Sequence, residues 1–316
     1  MTKHKILAVV GPTAGGKSAL ALALAKELGG EIVSCDSMQV YRRMDIGTAK
    51  PTAAEQAEVR HHLIDVVDPE EDFSCADYVG RAANAVEDCV GRGRLPILCG
   101  GTGLYLDALL RKNDFAPDTA DEAVRRELGE FAERHGASAL HEMLQRIDPE
   151  SAAATHPNNV KRVIRAIEIY RVSGLTKTEL DRRSLTGGDR YDATVIGLRY
   201  PDRELLYRRI DRRVDEMLKE GLVEETRALL AEGVFEKNRT AAQAIGYKEI
   251  LPYCRGEVSL SDAAEALKTA TRRYAKRQLT WFSAKPYVLW IDTAENGRQK
   301  TFEEIVNNAK ELFRTP

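Results

Sequence analysis

The run Gly11-Pro12-Thr13-Ala14-Gly15-Gly16-Lys17-Ser18 reads G-x-x-x-x-G-K-S, and it dictates a backbone before it dictates a ligand. A turn of this spacing wraps its own N–H groups around an anion at the start of a helix, where the helix dipole adds positive potential. The flanks supply what the turn needs. Lys5 to Val10 is a short apolar run that reads as a buried strand, and Ser18 to Leu28 is an Ala- and Leu-rich helix. Gly11 to Ser18 are thus candidate contacts to a di- or triphosphate, with Lys17 following the outer phosphate and the Ser18 hydroxyl completing a Mg²⁺ shell. An ordinary glycine-rich turn between a strand and a helix is the alternative reading.

The alternation continues. Glu31 to Asp36 reads as a second strand ending in an acid, His62 to Val67 as a third and Leu95 to Cys99 as a fourth. Between the last two, Ser74 and Asp77 form a capping box that opens a helix, closed by Gly91 or Gly93. Strands alternating with helices predict an α/β fold with a parallel, doubly wound sheet, in which ligands bind at the carboxyl ends of the strands. Asp36 and Gly100-Gly101-Thr102-Gly103 fall at those ends. At about Ala116 the rhythm changes: Asp118 to Arg183 is helical in pattern and strongly charged, Thr186 to Asp189 is a loop, and Ala193 to Leu198 returns as a strand. The expected organisation is a core of residues 1–115 and 193–316 with a helical insertion, 116–192. Beyond it, Asp202 caps a helix that buries Leu206, Ile210, Val214 and Met217, carries Arg209 and Arg213 on another side, and ends at Gly221. A last long helix, Ser261 to Phe282, aligns Arg272 with Lys276 and Arg273 with Arg277; Pro286 to Asp292 is a final strand.

The formal net charge of −2 hides an uneven distribution. Lys161 to Arg213 holds 14 Lys/Arg against 8 Asp/Glu, and Lys268 to Lys285 holds 6 against none, so these stretches carry +12 and the rest −14. Concentrated positive charge in an otherwise acidic chain fits a polyphosphate partner such as nucleic acid; a solvated helix face is the bland alternative. No run of 18 apolar residues and no secretion signal is present, so the expectation is a cytoplasmic protein with no membrane span. The five cysteines are dispersed without a C-x-x-C and read as small buried hydrophobes. His61 and His62 would point to opposite faces of a strand, which argues for structural histidines and against any metal but Mg²⁺.

Three phosphate chemistries compete. A GTPase needs a guanine-reading N-K-x-D, which is absent. A small-molecule or nucleotide kinase would bind ATP on the loop and use an acid such as Asp36 as base. The third class holds the diphosphate leaving group of an alkyl donor. The residues Gly11–Ser18, Asp36-Ser37-Met38-Gln39-Val40-Tyr41, Gly47-Thr48-Ala49-Lys50-Pro51, His61-His62-Leu63-Ile64-Asp65 and Gly100 to Tyr105 decide between them by likeness. So do His156-Pro157-Asn158-Asn159 with Arg162 and Arg165, Gln243-Ala244-Ile245-Gly246-Tyr247-Lys248, and Lys276 to Trp281. In this order they closely resemble the bacterial tRNA dimethylallyltransferases over nearly the whole chain.

That resemblance implies transfer of a dimethylallyl group from dimethylallyl diphosphate to N6 of adenine 37 in the tRNA anticodon stem-loop, with Mg²⁺ bound through Ser18. It implies a core like that of P-loop kinases and an insertion that grips the tRNA. It assigns Asp36 as the base for the adenine amine, and Thr13, Lys17 and Arg213 as its catalytic partners. The diphosphate falls to Gly11, Pro12, Thr13, Ala14, Gly15, Gly16, Lys17, Ser18 and Arg213. The tRNA falls to Asp36, Ser37, Met38, Gln39 and Thr102, to Lys161, Arg162, Val163, Ile164 and Arg165, and to Gln243, Ala244, Ile245, Gly246, Tyr247 and Lys248. Arg272, Arg273, Lys276 and Arg277 are further candidates for its backbone. Trp281 reads as a core residue, and for Tyr247 a place in the core is the alternative reading. A monomer is the default expectation.

Overall fold

The computed structural model describes residues 3–111, 121–186, 188–295 and 297–315. It divides into two compact units: residues 1–110 with 191–316, and residues 111–190. The expected boundary at 116 lies outside the described residues.

The first unit begins β1 (Lys5–Val10), α1 (Lys17–Leu28), β2 (Gly30–Ser34), α2 (Ala53–Glu58), β3 (His61–His62), α3 (Cys75–Gly91), β4 (Leu95–Cys99) and α4 (Gly103–Leu110). In the second unit follow α5 (Glu122–Ile147), α6 (Pro149–Ala153), α7 (Val160–Ser173) and α8 (Lys177–Thr186). The chain re-enters the first unit at β5 (Asp192–Arg199) and continues through α9 (Arg203–Glu220), α10 (Leu222–Ala231), α11 (Val234–Lys237), α12 (Tyr247–Cys254) and α13 (Leu260–Ser283). It closes with β6 (Val288–Asp292), β7 (Ala294–Glu295), β8 (Arg298–Gln299) and α14 (Phe302–Arg314).

Six strands form one parallel sheet in the order β3-β2-β4-β1-β5-β6. Alternation along β1 shows why both faces are covered. Ile6, Ala8 and Val10 pack with Tyr78, Val79 and Ala82 of α3, Leu106 and Leu109 of α4 and Phe282 of α13. Leu7 and Val9 point the other way, to Leu20, Ala21 and Leu24 of α1 and Val306 and Ala309 of α14. The five side chains from Ile6 to Val10 are at most 2% exposed, so truncating Leu7 to Ala would cost about 2–5 kcal/mol. Strand order reverses at β1, between β4 and β5, which opens a crevice at the carboxyl end of the central strand.

The Ser74 capping box is present in full, with Ser74 accepting from the Asp77 N–H and Asp77 from the Ser74 N–H. The third expected strand is much shorter than its sequence suggests. Only His61 and His62 pair with β2, because Leu63 (φ 62°) and Asp65 (φ 55°) turn into the left-handed region and leave the sheet. Gly221 (φ 106°) ends α9 as expected, but α10 starts at once. In that helix region Leu206, Ile210 and Val214 are buried and Met217 is half-buried.

The second unit has its own apolar core, built on Leu128, Leu140, Leu144, Val163, Ala166 and Ile167. Helix α5 is broken at Gly136 (φ 86°, ψ 160°). Glu168 is fully buried yet satisfied: Arg125 and Arg165 each reach it at 2.8 Å and the Asp121 N–H donates to it at 2.8 Å. Asp148 caps α6 through the Ser151 N–H and also accepts from the N–H and hydroxyl of Thr178, tying α8 down. Two of the expected loop residues, Thr186 and Gly187, are respectively the last residue of α8 and outside the described residues.

Candidate active site

The turn after β1 takes the shape that its glycines permit. Gly11 sits at φ 135° with its Cα against β5, where a Cβ would lie 2.8 Å from the Leu198 carbonyl oxygen; no other residue fits there. Gly16, at φ 85°, caps α1 with no side chain of its own, so the first-turn N–H groups of α1 face the crevice unclaimed by a cap. Outer parts of the loop are fastened by three distant side chains. Arg209 Nε donates to the Ala14 carbonyl at 2.9 Å and the Tyr200 hydroxyl to the Gly15 carbonyl at 3.2 Å. The Thr13 N–H donates to Gln278 Oε1 at 2.7 Å, while Gln278 Nε2 donates to the Gly101 carbonyl at 3.1 Å. Gln278, only 4% exposed, therefore joins the ends of β1 and β4 from α13.

Lys17 extends back over the loop, donating to the Pro12 carbonyl at 2.7 Å. Burial pulls its pKa from the ordinary 10.5 to about 8; the nearby Arg213 adds to that fall, and Cys99 and Asp36 oppose it. Arg213 is lowered as well, again by burial first, with Asp36 acting to hold its charge. Two half-buried cations beside one carboxylate make a site built to be completed by a polyanion.

Asp36 stands two residues past the end of β2. Its Oδ1 accepts from the N–H groups of Met38 (2.9 Å) and Gln39 (3.4 Å), closing a turn that fixes the carboxylate. Thr102 Oγ1 accepts from the Ser37 N–H at 3.0 Å, and the Thr102 N–H donates to Cys35, so the β4 end braces the β2 end. Gln39 accepts from the Ser34 hydroxyl and donates to the carbonyls of Thr48 and Ala49.

Two cavities meet at these groups. A small one of about 70 Å³ is bordered by Thr13, Lys17, Ser18, Asp36, Gly100 and Arg213. The larger, about 560 Å³, is lined by Asp36, Ser37, Met38, residues 243–246, Lys248, Arg273 and Arg277, with Ile210, Val214, Met217 and Leu267 supplying apolar wall. Thr13, Asp36, Thr48, Ala49, Arg213 and Tyr274 border both. The outer side of the phosphate loop opens on a third cavity, with Arg209, Arg212 and Lys50.

Most expected site residues thus converge, but several do not. Tyr247 is corrected to a core residue: it is fully buried and its hydroxyl donates to Glu225 at 2.6 Å. Val163 is likewise core, at 0% exposure in the second unit. Within that unit Lys161 and Arg162 are exposed on the first turn of α7, Ile164 is half-buried and Arg165 is engaged with Glu168. Arg272 is not an unopposed base, since Asp211 of α9 pairs with it at 3.3 Å; Lys276 is exposed. Trp281, expected in the core, is 37% exposed, packs on Gly103 and has Lys285 Nζ 5.0 Å from its ring centroid. The residues missed by the sequence reading are Gln278, Tyr274, Arg209, Tyr200 and Glu225. Tyr274 and Gln278 left a signal, being polar and four apart on the apolar side of α13; burial raises the Tyr274 pKa well above its ordinary value.

A separate trio, Glu31, His62 and Cys89, lies within 4.8 Å. Arg92 grips both Glu31 oxygens and His62 donates or accepts at 2.8 Å, so hydrogen bonding already satisfies it. The Glu31 pKa is held down at about 2, chiefly by Arg92.

A doubly wound α/β fold with a glycine-rich anion cradle at its switch point defines a phosphate-handling class of protein. Within that class the match is specific. A family model described as IPP transferase covers residues 39–285, and the chain belongs to this family. It is 48% identical over 305 residues, 96% of each chain, to the tRNA dimethylallyltransferase of Halalkalibacterium halodurans. The crystal structure of the full-length tRNA isopentenylpyrophosphate transferase from Bacillus halodurans superimposes with a TM-score of 0.71 at 46% identity, covering 98% of this chain and 97% of that one. A eukaryotic dimethylallyltransferase described as acting on tRNA gives 0.76 at 31% identity over 92% of this chain and 74% of that one. Among the described residues no helix is long and apolar enough to cross a membrane.

Proposed function

We propose that this protein transfers the dimethylallyl group of dimethylallyl diphosphate to N6 of adenine 37 in the tRNA anticodon stem-loop, as a cytoplasmic monomer. One observation carries the reading: Lys17 and Asp36 border a single small cavity that adjoins a larger one across Thr13, Asp36 and Arg213. The donor diphosphate takes the side with the loop N–H groups, Lys17 and Arg213. The adenine takes the side with Asp36 to Gln39.

An exocyclic adenine amine is a weak nucleophile, so it gains most from a base that accepts its proton as the bond forms. The N6 lone pair attacks C1 of the allyl group; the C1–O bond breaks and its electrons leave on diphosphate; the N6 proton passes to the Asp36 carboxylate. Lys17, Arg213 and the loop amides are preorganised where that negative charge grows. The donor set suits Mg²⁺, since Ser18 offers an exposed hydroxyl oxygen beside the diphosphate cradle, and the cation would add charge neutralisation there. A base enclosed in a folded loop must be swung out of its stack to reach such a crevice, and Arg273, Arg277 and Lys248 supply positive charge around the larger cavity.

The test is to incubate the protein with unmodified tRNA and either donor labelled in its allyl group or γ-labelled ATP. Label from the allyl donor in the anticodon loop supports the reading. Label moving only from ATP to an acceptor makes the protein a kinase and overturns it.

A further inference from the structure

Glu225, on α10, has the densest hydrogen-bonding of any carboxylate near the site, and the transfer chemistry above does not use it. Its Oε2 accepts from the N–H groups of Asp45 (3.0 Å) and Ile46 (2.9 Å), and its Oε1 from the Gly47 N–H (3.0 Å) and the Tyr247 hydroxyl (2.6 Å). Three successive backbone N–H groups converging on one anion form a nest, the same device that cradles a bound phosphate, filled here by a side chain of the protein.

The two segments that Glu225 joins both line the larger cavity: Gly47, Thr48 and Ala49 from one, and residues 243–246 with Lys248 and Glu249 from the other. They touch directly at the node: a Cβ on Gly47 would lie 2.5 Å from the Tyr247 ring, and one on Gly246 would lie 2.9 Å from the Gly47 carbonyl oxygen. Ala49 is held at φ 49°, a left-handed conformation that alanine keeps only where its surroundings over-determine it. Beyond the node, the carbonyls of Thr48 and Ala49 accept from Gln39 Nε2, and the Gln39 N–H donates to Asp36. A path of hydrogen bonds joined by short stretches of covalent chain therefore runs from Glu225 to the Asp36 carboxylate.

We infer that Glu225 is a positioning residue: an anion of the protein's own that holds together two segments lining the acceptor cavity without touching substrate. This rests on the prenyl-transfer reading. Thr48 and Ala49 also border the small cavity, but the phosphate loop itself is fastened independently by Arg209, Tyr200 and Gln278, so loosening the Glu225 node weakens the tRNA side far more than the donor side.

The variant to make is Glu225→Gln, equal in shape but presenting an amide NH₂ to groups that all donate. Steady-state kinetics with unmodified tRNA and dimethylallyl diphosphate should show kcat/KM for tRNA falling by about tenfold or more, with KM for the donor within about twofold of the parent. Tyr247→Phe leaves the three N–H bonds in place and should lower the tRNA term by only about threefold, again with donor KM unchanged. A circular dichroism melt establishes that each variant is folded. A folded Glu225→Gln protein with an unaltered tRNA term, or with equal losses for both substrates, overturns the inference; if that variant does not fold, Tyr247→Phe decides by the same criterion. Failure of the parent protein to prenylate tRNA at all overturns the underlying reading instead.

Discussion

Asp36 uses its two oxygens differently. Oδ1 is committed to the turn through Met38 and Gln39, and among the described residues Oδ2 has no hydrogen-bond partner, which leaves it for a proton. Asp36→Asn keeps an oxygen for the turn and removes the base. Single-turnover prenyl transfer should fall by about 10²–10⁴-fold while tRNA affinity stays within about threefold; lost tRNA affinity with normal chemistry would strip Asp36 of the base role. Lys17 makes a pH prediction. Its folded pKa of about 8 lies below the ordinary 10.5, so burying the charged amine costs stability below about pH 8 and that cost disappears as pH rises through 8 to 10.5. Donor binding has the opposite need, since only the charged amine attracts diphosphate. In the free enzyme kcat/KM for the donor should decline above about pH 8, and in Lys17→Arg that alkaline limb should vanish, because arginine stays charged. An identical limb in both proteins would assign it to another group.

At the scale of elements, what the sequence disclosed was what short-range chemistry controls. The Ser74 capping box, the alternating faces of β1, and the phosphate loop between strand and helix each depend on residues within a few positions of one another. What stayed hidden depends on distant partners. From Lys268 onward helix α13 reads as uniformly basic, yet Asp211 and Asp215 of α9 approach Arg272 and Lys268 at 3.3 and 2.9 Å. Glu225 looks like any surface glutamate until the fold sets it against residues 45–47. The left-handed turns at Leu63 and Asp65, which cut β3 short, have no glycine to announce them. The α13 pairing sharpens a prediction. Neutralising Arg273, Lys276 and Arg277 to Gln should flatten the salt dependence of tRNA binding by about 0.7–0.9 in log–log slope for each phosphate contact removed, whereas Arg272→Gln, already balanced by Asp211, should leave it unchanged. Filter binding across a salt series measures both slopes.

At the scale of the molecule, the two units carry separate cores. Arg111 and Asp189 form an antiparallel bridge, so the chain leaves for the second unit and comes back at neighbouring points. Replacing residues 112–188 with a short Gly/Ser linker should therefore yield a folded core that binds dimethylallyl diphosphate with affinity within about threefold of the full chain, yet modifies tRNA at least about tenfold more slowly. Calorimetry with the donor checks the first outcome and the label assay the second; loss of donor binding would show that the units do not fold independently.

The pairing of β1 with β5 also bears on how the molecule is made. Val10 lies beside Gly197, and Gly11 is lodged against Leu198. On the ribosome, at roughly 5–20 residues per second, the first strand waits on the order of ten to forty seconds for its second neighbour, β5. The helical unit emerges complete in the meantime and can condense first. The nucleotide-style cradle at the chain's beginning is consequently among the last features to mature, and a nascent chain arrested before Leu198 is a protein with its most recognisable motif written but not yet shaped.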